Sequence, residues 1–290
     1  MKLSENELKQ KIKNISQAGG GTFQEILKRL CLERFLARLA SSELSDKLIF
    51  KGGNLLRYYI AIGRQTTDLD FLMTKIQAER GTVQKTFEDI CGVEVDDGFE
   101  MNFVRLEDLE QGHMAYPGFR AIIQIKLTEG KLSDNLQIDV GVGDVVTPEV
   151  RKIDLMAYKG KPFYEDSVSL QVYPVESIYA EKLETVLSKG GQNSRVKDFH
   201  DLVMLSREPD LISKQELAEN IKSTFEHRGT PPNFPLQFSD EEYSRLNSYW
   251  AAHGATLGAW WTDNKMPEHI KQAVLEINSF VTPIIKKDED

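Results

Sequence analysis

The sequence predicts a mixed α/β (α+β) protein: a sheet flanked by helices in the N-terminal and central parts, followed by a helical C-terminal portion. Three observations predict it. Leu48-Ile49-Phe50 is a short apolar run that reads as a buried strand. Leu136, Ile138, Val140 and Val142 alternate with Gln137, Asp139 and Gly141, the two-residue period of a half-buried strand. After Ser213 the chain is dominated by helical spacing, and Ser213-x-x-Glu216 and Ser239-x-x-Glu242 read as capping boxes.

The elements follow in order. Residues 4 to 17 have helical spacing behind Ser4-x-x-Glu7, another capping box. Gly19-Gly20-Gly21 breaks that helix. Thr22 to Leu39 then resumes as an amphipathic helix, with Phe23, Ile26, Leu27, Leu30, Phe35 and Leu39 forming its apolar stripe. The strand at Leu48 is interrupted by Lys51, Gly52 and Gly53, and Asn54 to Ile62 shows a helical pattern ended by Gly63. Asp68 to Met73 is again extended, with Asp68 and Asp70 on one face and Leu69, Phe71 and Met73 on the other.

Ile76 to Cys91 reads as a helix, and Phe99 to Leu106 and Arg120 to Leu127 as strands. The polar, glycine-containing segment from Glu107 to Gly118 reads as a mobile loop, and Thr128 to Asn135 as a hairpin loop. Ser167 to Tyr173 alternates once more. Pro174 then opens a helix over Val175 to Lys189, and a second begins after the loop Gly190 to Ser194. Pro231-Pro232-Asn233-Phe234-Pro235 reads as a stiff linker. Trp250, Trp260 and Trp261 are expected to build a small helical core.

Composition narrows the function classes. The chain has 290 residues, 40% hydrophobic and 28% charged, which is ordinary for a globular protein. No apolar run is long enough to span a membrane, and MKLSENELKQ lacks the apolar centre of a signal peptide, so the cytoplasm is expected. Cys31 and Cys91 fit neither a metal spacing nor a disulfide framework. The net charge of −9 does not advertise a nucleic-acid binder. Residues 1 to 40 nevertheless hold eight basic against four acidic side chains, an excess that suits a solvated helix face as well as an RNA contact.

The chemistry concentrates between Lys51 and Asp70. A glycine pair at a helix start lets backbone N–H groups approach a phosphate, with the positive end of the helix dipole behind them. Two carboxylates at i and i+2 on a strand project together and can share hard cations such as Mg²⁺. Arg64 and Thr67 precede them, placed to touch phosphate oxygens. The plainer reading is a Gly-Gly turn and surface aspartates on an edge strand. Asp139 leaves its strand on the face opposite the aliphatic residues, and beside a D-x-D strand it would complete a three-carboxylate metal site, with Asp144 the weaker candidate.

This stretch resembles the signature of the nucleotidyltransferase superfamily, and K-G-G…R-x-T-T-D-L-D-F resembles its AbiEii/AbiGii-type toxin branch. Gly53 stands where many members have serine. E-K-L followed by R-x-K-D-x-x-D-L, around Lys182 and Asp198, is similar to that branch's second signature. The resemblance implies a polymerase beta-like catalytic domain over residues 45–207; outside it, the residues themselves read as N-terminal helices over 1–44 packing on that core and a helical domain over 208–290. It implies catalytic roles for Asp68, Asp70, Asp139, Lys182 and Asp198. Nucleotide contacts would come from Gly52, Gly53, Arg64, Thr67, Lys182, Arg195 and Lys197.

It implies two Mg²⁺ ions, with Mn²⁺ an alternative, on Asp68, Asp70 and Asp139. It also implies NTP as substrate, NMP transfer to an RNA acceptor such as the tRNA 3′ end, and a cognate antitoxin as partner. Transfer to a protein or small-molecule hydroxyl would need the same metal site. A non-catalytic nucleotide-binding module is the alternative from another class. His200 reads as a packing or surface histidine.

Overall fold

A computed structural model describes residues 2–75, 79–109, 118–144 and 146–287. The chain divides into two compact units, Met1–Tyr58 with Gln65–Tyr173, and Tyr59–Arg64 with Pro174–Asp290.

The first unit opens with α1 (Glu5–Gln17) and α2 (Phe23–Ala40). Ser4 closes the full capping box with Glu7 that its spacing predicts, and Thr22 closes another with Glu25. A seven-stranded sheet follows, in the order β3-β4-β5-β2-β1-β9-β6. Its strands are β1 (Leu48–Lys51), β2 (Asp68–Met73), β3 (Phe99–Leu109), β4 (Gly118–Leu127), β5 (Ser133–Val142), β6 (Glu149–Asp154) and β9 (Ser167–Val172). The short pair β7 (Ala157–Tyr158) and β8 (Lys161–Pro162) makes a separate ribbon. β2 lies centrally, antiparallel to β1 and parallel to β5. Two short helices, α3 (Gly52–Leu56) and α4 (Arg80–Cys91), complete the unit.

Apolar alternation anchors this register. Leu69 and Phe71 of β2 and Leu136, Ile138 and Val140 of β5 are fully buried, so a one-residue slip would expose all of them. Phe71 sits at the centre of an aromatic cluster, with ring centroids 5.4 Å from Phe50 and 6.1 Å from Phe35. Each such ring contributes about 2–3 kcal/mol by leaving water.

Several expectations need correcting. α2 is not amphipathic: packed among α1, α4, β5 and β9, it is buried from Leu30 to Leu39 on every side. Its basic residues are therefore not a solvated face throughout. Arg38 forms a double hydrogen bond with the buried Asp97, at 2.7 and 3.1 Å, and a third with the carbonyl of Phe99. The helix expected through Ile62 stops at Leu56. Ile60 and Ile62 are buried in alternation instead, and residues 59–64 belong to the second unit. α4 begins only at Arg80, with 76–78 outside the described residues. β3 continues to Leu109, and the rest of the expected mobile loop, 110–117, also lies outside the described residues.

The second unit is helical: α5 (Val175–Lys189), α6 (Val196–Ser206), α7 (Lys214–Arg228), α8 (Asp240–Leu257), α9 (Ala259–Asp263) and α10 (Ile270–Lys287). Phe199, Leu202 and Leu205 of α6, Leu246 and Trp250 of α8, and Ala273 and Ile277 of α10 are buried without remainder. Of the three tryptophans only Trp250 is deep, and its indole N–H donates to the carbonyl of Pro267 at 2.8 Å. The chain is tied down just after the proline-rich stretch. Leu236 is buried and exchanges two hydrogen bonds with the Asn278 side chain, at 2.8 and 2.9 Å. Among the described residues no helix is long and apolar enough to cross a membrane.

Candidate active site

In the first unit the parallel pairing of β2 with β5 sets Asp70 directly beside Asp139, with Asp68 two residues away on the same face. The antiparallel pairing with β1 sets Lys51 on the other side of Asp70. Three of the predicted acids thus share one face of adjacent strands, each partly exposed while its aliphatic neighbours are buried.

The turn at the end of β1 is built for close approach. Gly52 has φ +75°, a conformation that favours glycine, and a Cβ there would collide with the whole Asp70 side chain. No other residue fits this position without displacing the carboxylate. α3 is only five residues long, so the expected helix dipole contributes little; what the turn offers is exposed backbone.

Two cations that sequence reasoning left unassigned lie on this face. Arg120, opposite Asp139 in the β4–β5 ladder, grips it with two hydrogen bonds of 2.7 and 2.8 Å. Those bonds, reinforced by the charge of Asp68, hold the guanidinium still more firmly protonated than usual, against a small loss of solvent. Lys51 Nζ donates to Asp144 at 2.8 Å and to the Tyr173 hydroxyl at 3.2 Å. Asp144 is therefore engaged by a lysine on the β1 side.

The donor chemistry fits a hard divalent ion, since carboxylate oxygens are what such ions select. Among the described residues, however, no three His, Cys, Asp or Glu side chains are gathered closely enough to enclose one. Asp139 gives both oxygens to Arg120, so the positive charge at that carboxylate is supplied by the protein itself.

The second unit holds a buried charge network. Asp201 is fully buried; Arg64 Nε and one terminal nitrogen reach it at 2.8 and 2.6 Å, and Lys182 Nζ at 2.7 Å. Lys182 also donates to Asp198 at 2.9 Å, and Arg195 Nε stands 3.2 Å from the other Asp198 oxygen. Burial opposes the charge on Asp201, but Lys182 and Arg64 outweigh it and push its pKa far below the carboxylate range. Burial likewise works against the Lys182 ammonium, and the two aspartates reverse that, leaving it raised.

Of the predicted nucleotide contacts, Arg64 is thus committed to Asp201, whereas Thr67, Arg195 and Lys197 are exposed. Asp201 itself was legible only as the last aspartate of R-x-K-D-x-x-D-L, three residues after Asp198 and so on its helix face.

His200 is buried, as a packing residue would be. Its Nδ1 lies 2.8 Å from His253 Nε2, and its ring centroid 5.3 Å from that of Trp260. Trp260 in turn packs so tightly on Gly63 (φ +67°) that a Cβ there would enter the indole. Burial, chiefly, lowers the His200 pKa to about 4, and the charges of Arg64 and Lys182 act in the same direction. The unfolded value is about 6.5, so the neutral ring's full contribution to stability is present above pH 6.5. It is lost as the pH falls towards 4, by up to about 3 kcal/mol. Urea unfolding should therefore show the protein markedly weaker at pH 4.5 than at pH 7. In His200→Phe, neutral at every pH, that slope should flatten; an unchanged slope would contradict the assignment.

The fold has a solved counterpart. A proposed nucleotidyltransferase of Helicobacter pylori matches over 90% of this chain and 96% of its own at 16% identity, with a TM-score of 0.50. The nucleotidyltransferase toxin MenT4 of Mycobacterium tuberculosis matches over 92% and 99%, also at 16% identity, with a TM-score of 0.49. At this identity the likeness to the Helicobacter pylori protein concerns the fold alone. No curated protein matches the chain. The family described as "Nucleotidyl transferase AbiEii toxin, Type IV TA system" matches residues 34–258, so the chain belongs to the AbiEii family of nucleotidyltransferase toxins.

Proposed function

We propose that this nucleotidyltransferase moves an NMP from an NTP to the 3′ hydroxyl of an RNA, with the tRNA 3′ end as acceptor. It acts in the cytoplasm, depends on Mg²⁺ (or Mn²⁺), and is restrained by a cognate antitoxin. The observation that carries the catalytic part is the placement of Asp70 beside Asp139, with Asp68 on the same face, next to a turn that only glycine can make.

Asp68, Asp70 and Asp139 would hold the metal, Arg120 yielding Asp139 as it does so. When bound, such ions supply Lewis-acid stabilisation of phosphoryl oxygens and a lower pKa for the attacking hydroxyl. In the transfer the acceptor oxygen forms a bond to the α-phosphorus, the α–β phosphoanhydride bond breaks, and pyrophosphate leaves with the electron pair. The hydroxyl proton passes to solvent.

The chain's own residues position and neutralise. Gly52 and Gly53 expose backbone to a phosphate. Lys182, held by Asp198 and Asp201, presents a fixed ammonium rather than a searching one, and the exposed Arg195 and Lys197 add positive charge. Preorganised charge of this kind carries most phosphoryl-type catalysis. The exposed Thr67 completes the proposed nucleotide contacts. The assignment of RNA as acceptor rests on the family resemblance.

Incubating the protein with Mg²⁺, each α-³²P-labelled NTP in turn and total cellular RNA tests the whole reading. Label in a tRNA-sized band, absent with Asp68→Asn, is the expected result. Label confined to a protein band or a small product would remove RNA as acceptor and leave the transferase.

A further inference from the structure

The first unit contains a polar cavity that none of the catalytic residues lines. It has a volume of about 150 Å³, and its walls include Gly20, Glu25, Arg29, Arg57, Gln65 and Met156. Its charge arrangement is unusual because two arginines share it. Arg29 spends its Nε on Glu33, at 2.8 Å, and its two terminal nitrogens have no hydrogen-bond partner among the described residues.

Arg57 has less. Its guanidinium carbon stands 5.9 Å from the Tyr58 ring centroid, and among the described residues no carboxylate lies within ion-pair distance. Burial, then the like charge of Arg29, weakens its hold on the proton, with only partial relief from Tyr58 and Glu33. An anion would offset both costs.

The acids nearby are already engaged. Glu25 accepts the backbone N–H of Thr22 at 2.7 Å in the α2 capping box. Glu33 accepts from Arg29 and, at 2.6 Å, from the backbone N–H of Met156. What remains for the cavity is a surplus of donors: the Arg57 fork, the free ends of Arg29 and the Gln65 amide. That set matches the tetrahedral oxygens of a phosphate better than a planar carboxylate, since donors arrive from three separate elements.

We infer that the cavity between Arg29 and Arg57 is a binding site for one phosphate group, contributed by the backbone of the acceptor RNA. The inference rests on the RNA-transferase reading for the source of the phosphate, though not for the site. The backbone supports that source. Gln65 lies three residues before Asp68, and Arg57 follows α3, the helix that Gly52 opens, so both walls are tied by short chain segments to the catalytic face. A phosphodiester held here would fix the register of the strand whose end is extended, which is the use nucleic-acid enzymes make of backbone contacts.

The test uses the full chain, inorganic phosphate and a fluorescent single-stranded RNA oligonucleotide, with wild type, Arg57→Gln and Arg57→Lys. Phosphate should raise the melting temperature of wild type saturably, and Arg57→Gln should lose that shift. RNA affinity, read by anisotropy without any NTP, should fall about tenfold in Arg57→Gln and less in Arg57→Lys. The slope of log K against log salt should become shallower by about one in Arg57→Gln. A phosphate shift lost in Arg57→Gln with RNA binding unchanged would overturn the RNA source and leave a free-phosphate site. Phosphate and RNA binding both unchanged would overturn the site altogether. Because neither readout requires turnover, absence of nucleotide transfer to RNA in the labelling assay would refute RNA as the acceptor, while the phosphate shift and its loss in Arg57→Gln would still decide the site.

Discussion

Replacing Asp70 by asparagine is expected to abolish nucleotide transfer, lowering turnover by about a thousandfold or more, while the fold persists. Asp70 is the carboxylate with most neighbours of functional kind. It is flanked by Asp139 on β5 and Lys51 on β1, and it lies against the Cα of Gly52. Asparagine keeps the volume that meets Gly52, so packing is undisturbed, but it removes the negative charge on which a hard cation depends. The loss should appear in turnover rather than in the melting temperature, and added Mn²⁺ should recover little of it. Asp139→Asn gives a graded comparison, because Arg120 loses its ionic partner there as well. A variant of Asp70 with near wild-type transfer would show that the chemistry lies elsewhere.

How much of this was legible depended on the distance over which each feature is determined. The D-x-D strand could be read from a two-residue period, and the same period put Asp139 on the functional face; their adjacency needed only the assumption that β2 and β5 pair. The capping boxes read at Ser4 and Ser239 are closed in the structure because both partners lie within one turn, whereas at Ser213 only the Glu216 N–H bond forms and the Ser213 N–H goes to Glu176 instead. Arg120 was invisible, since its partner is chosen by strand register and not by spacing in the chain. Arg64 was read as a phosphate contact from its place before the acids, yet the residue that holds it is 137 positions away.

α2 misled in the same manner. Its buried Glu33, Arg34 and Arg38 look solvated until their partners are known, and each partner lies on the helix itself or on a distant strand or loop. β6 left no signal because, in the run EVRKID, only Ile153 is buried at the sheet edge.

Removing the carboxylate at Asp201 should be the most destabilising single change to the charge network, by about 3–5 kcal/mol for Asp201→Ala. Three charges meet there in a space that excludes water: Asp201 is fully buried, and the side chains of Arg64 and Lys182 are 9% and 11% exposed. The pairs themselves need contribute little to net stability, since forming them cost solvation on both sides. Breaking them is different in sign and size, because the two buried cations would lose the carboxylate they share. Asp201→Asn, which retains the shape and one acceptor oxygen, should cost less than alanine. Both variants should also impair transfer beyond their effect on folding, as Lys182 and Arg64 lose the anchor that fixes them. Urea unfolding at pH 7 measures the first effect. A Lys182→Met, Asp201→Leu, Arg64→Met triple variant separates the two: apolar packing should restore much of the stability while transfer stays lost. If that variant regained transfer together with stability, the network would be structural only.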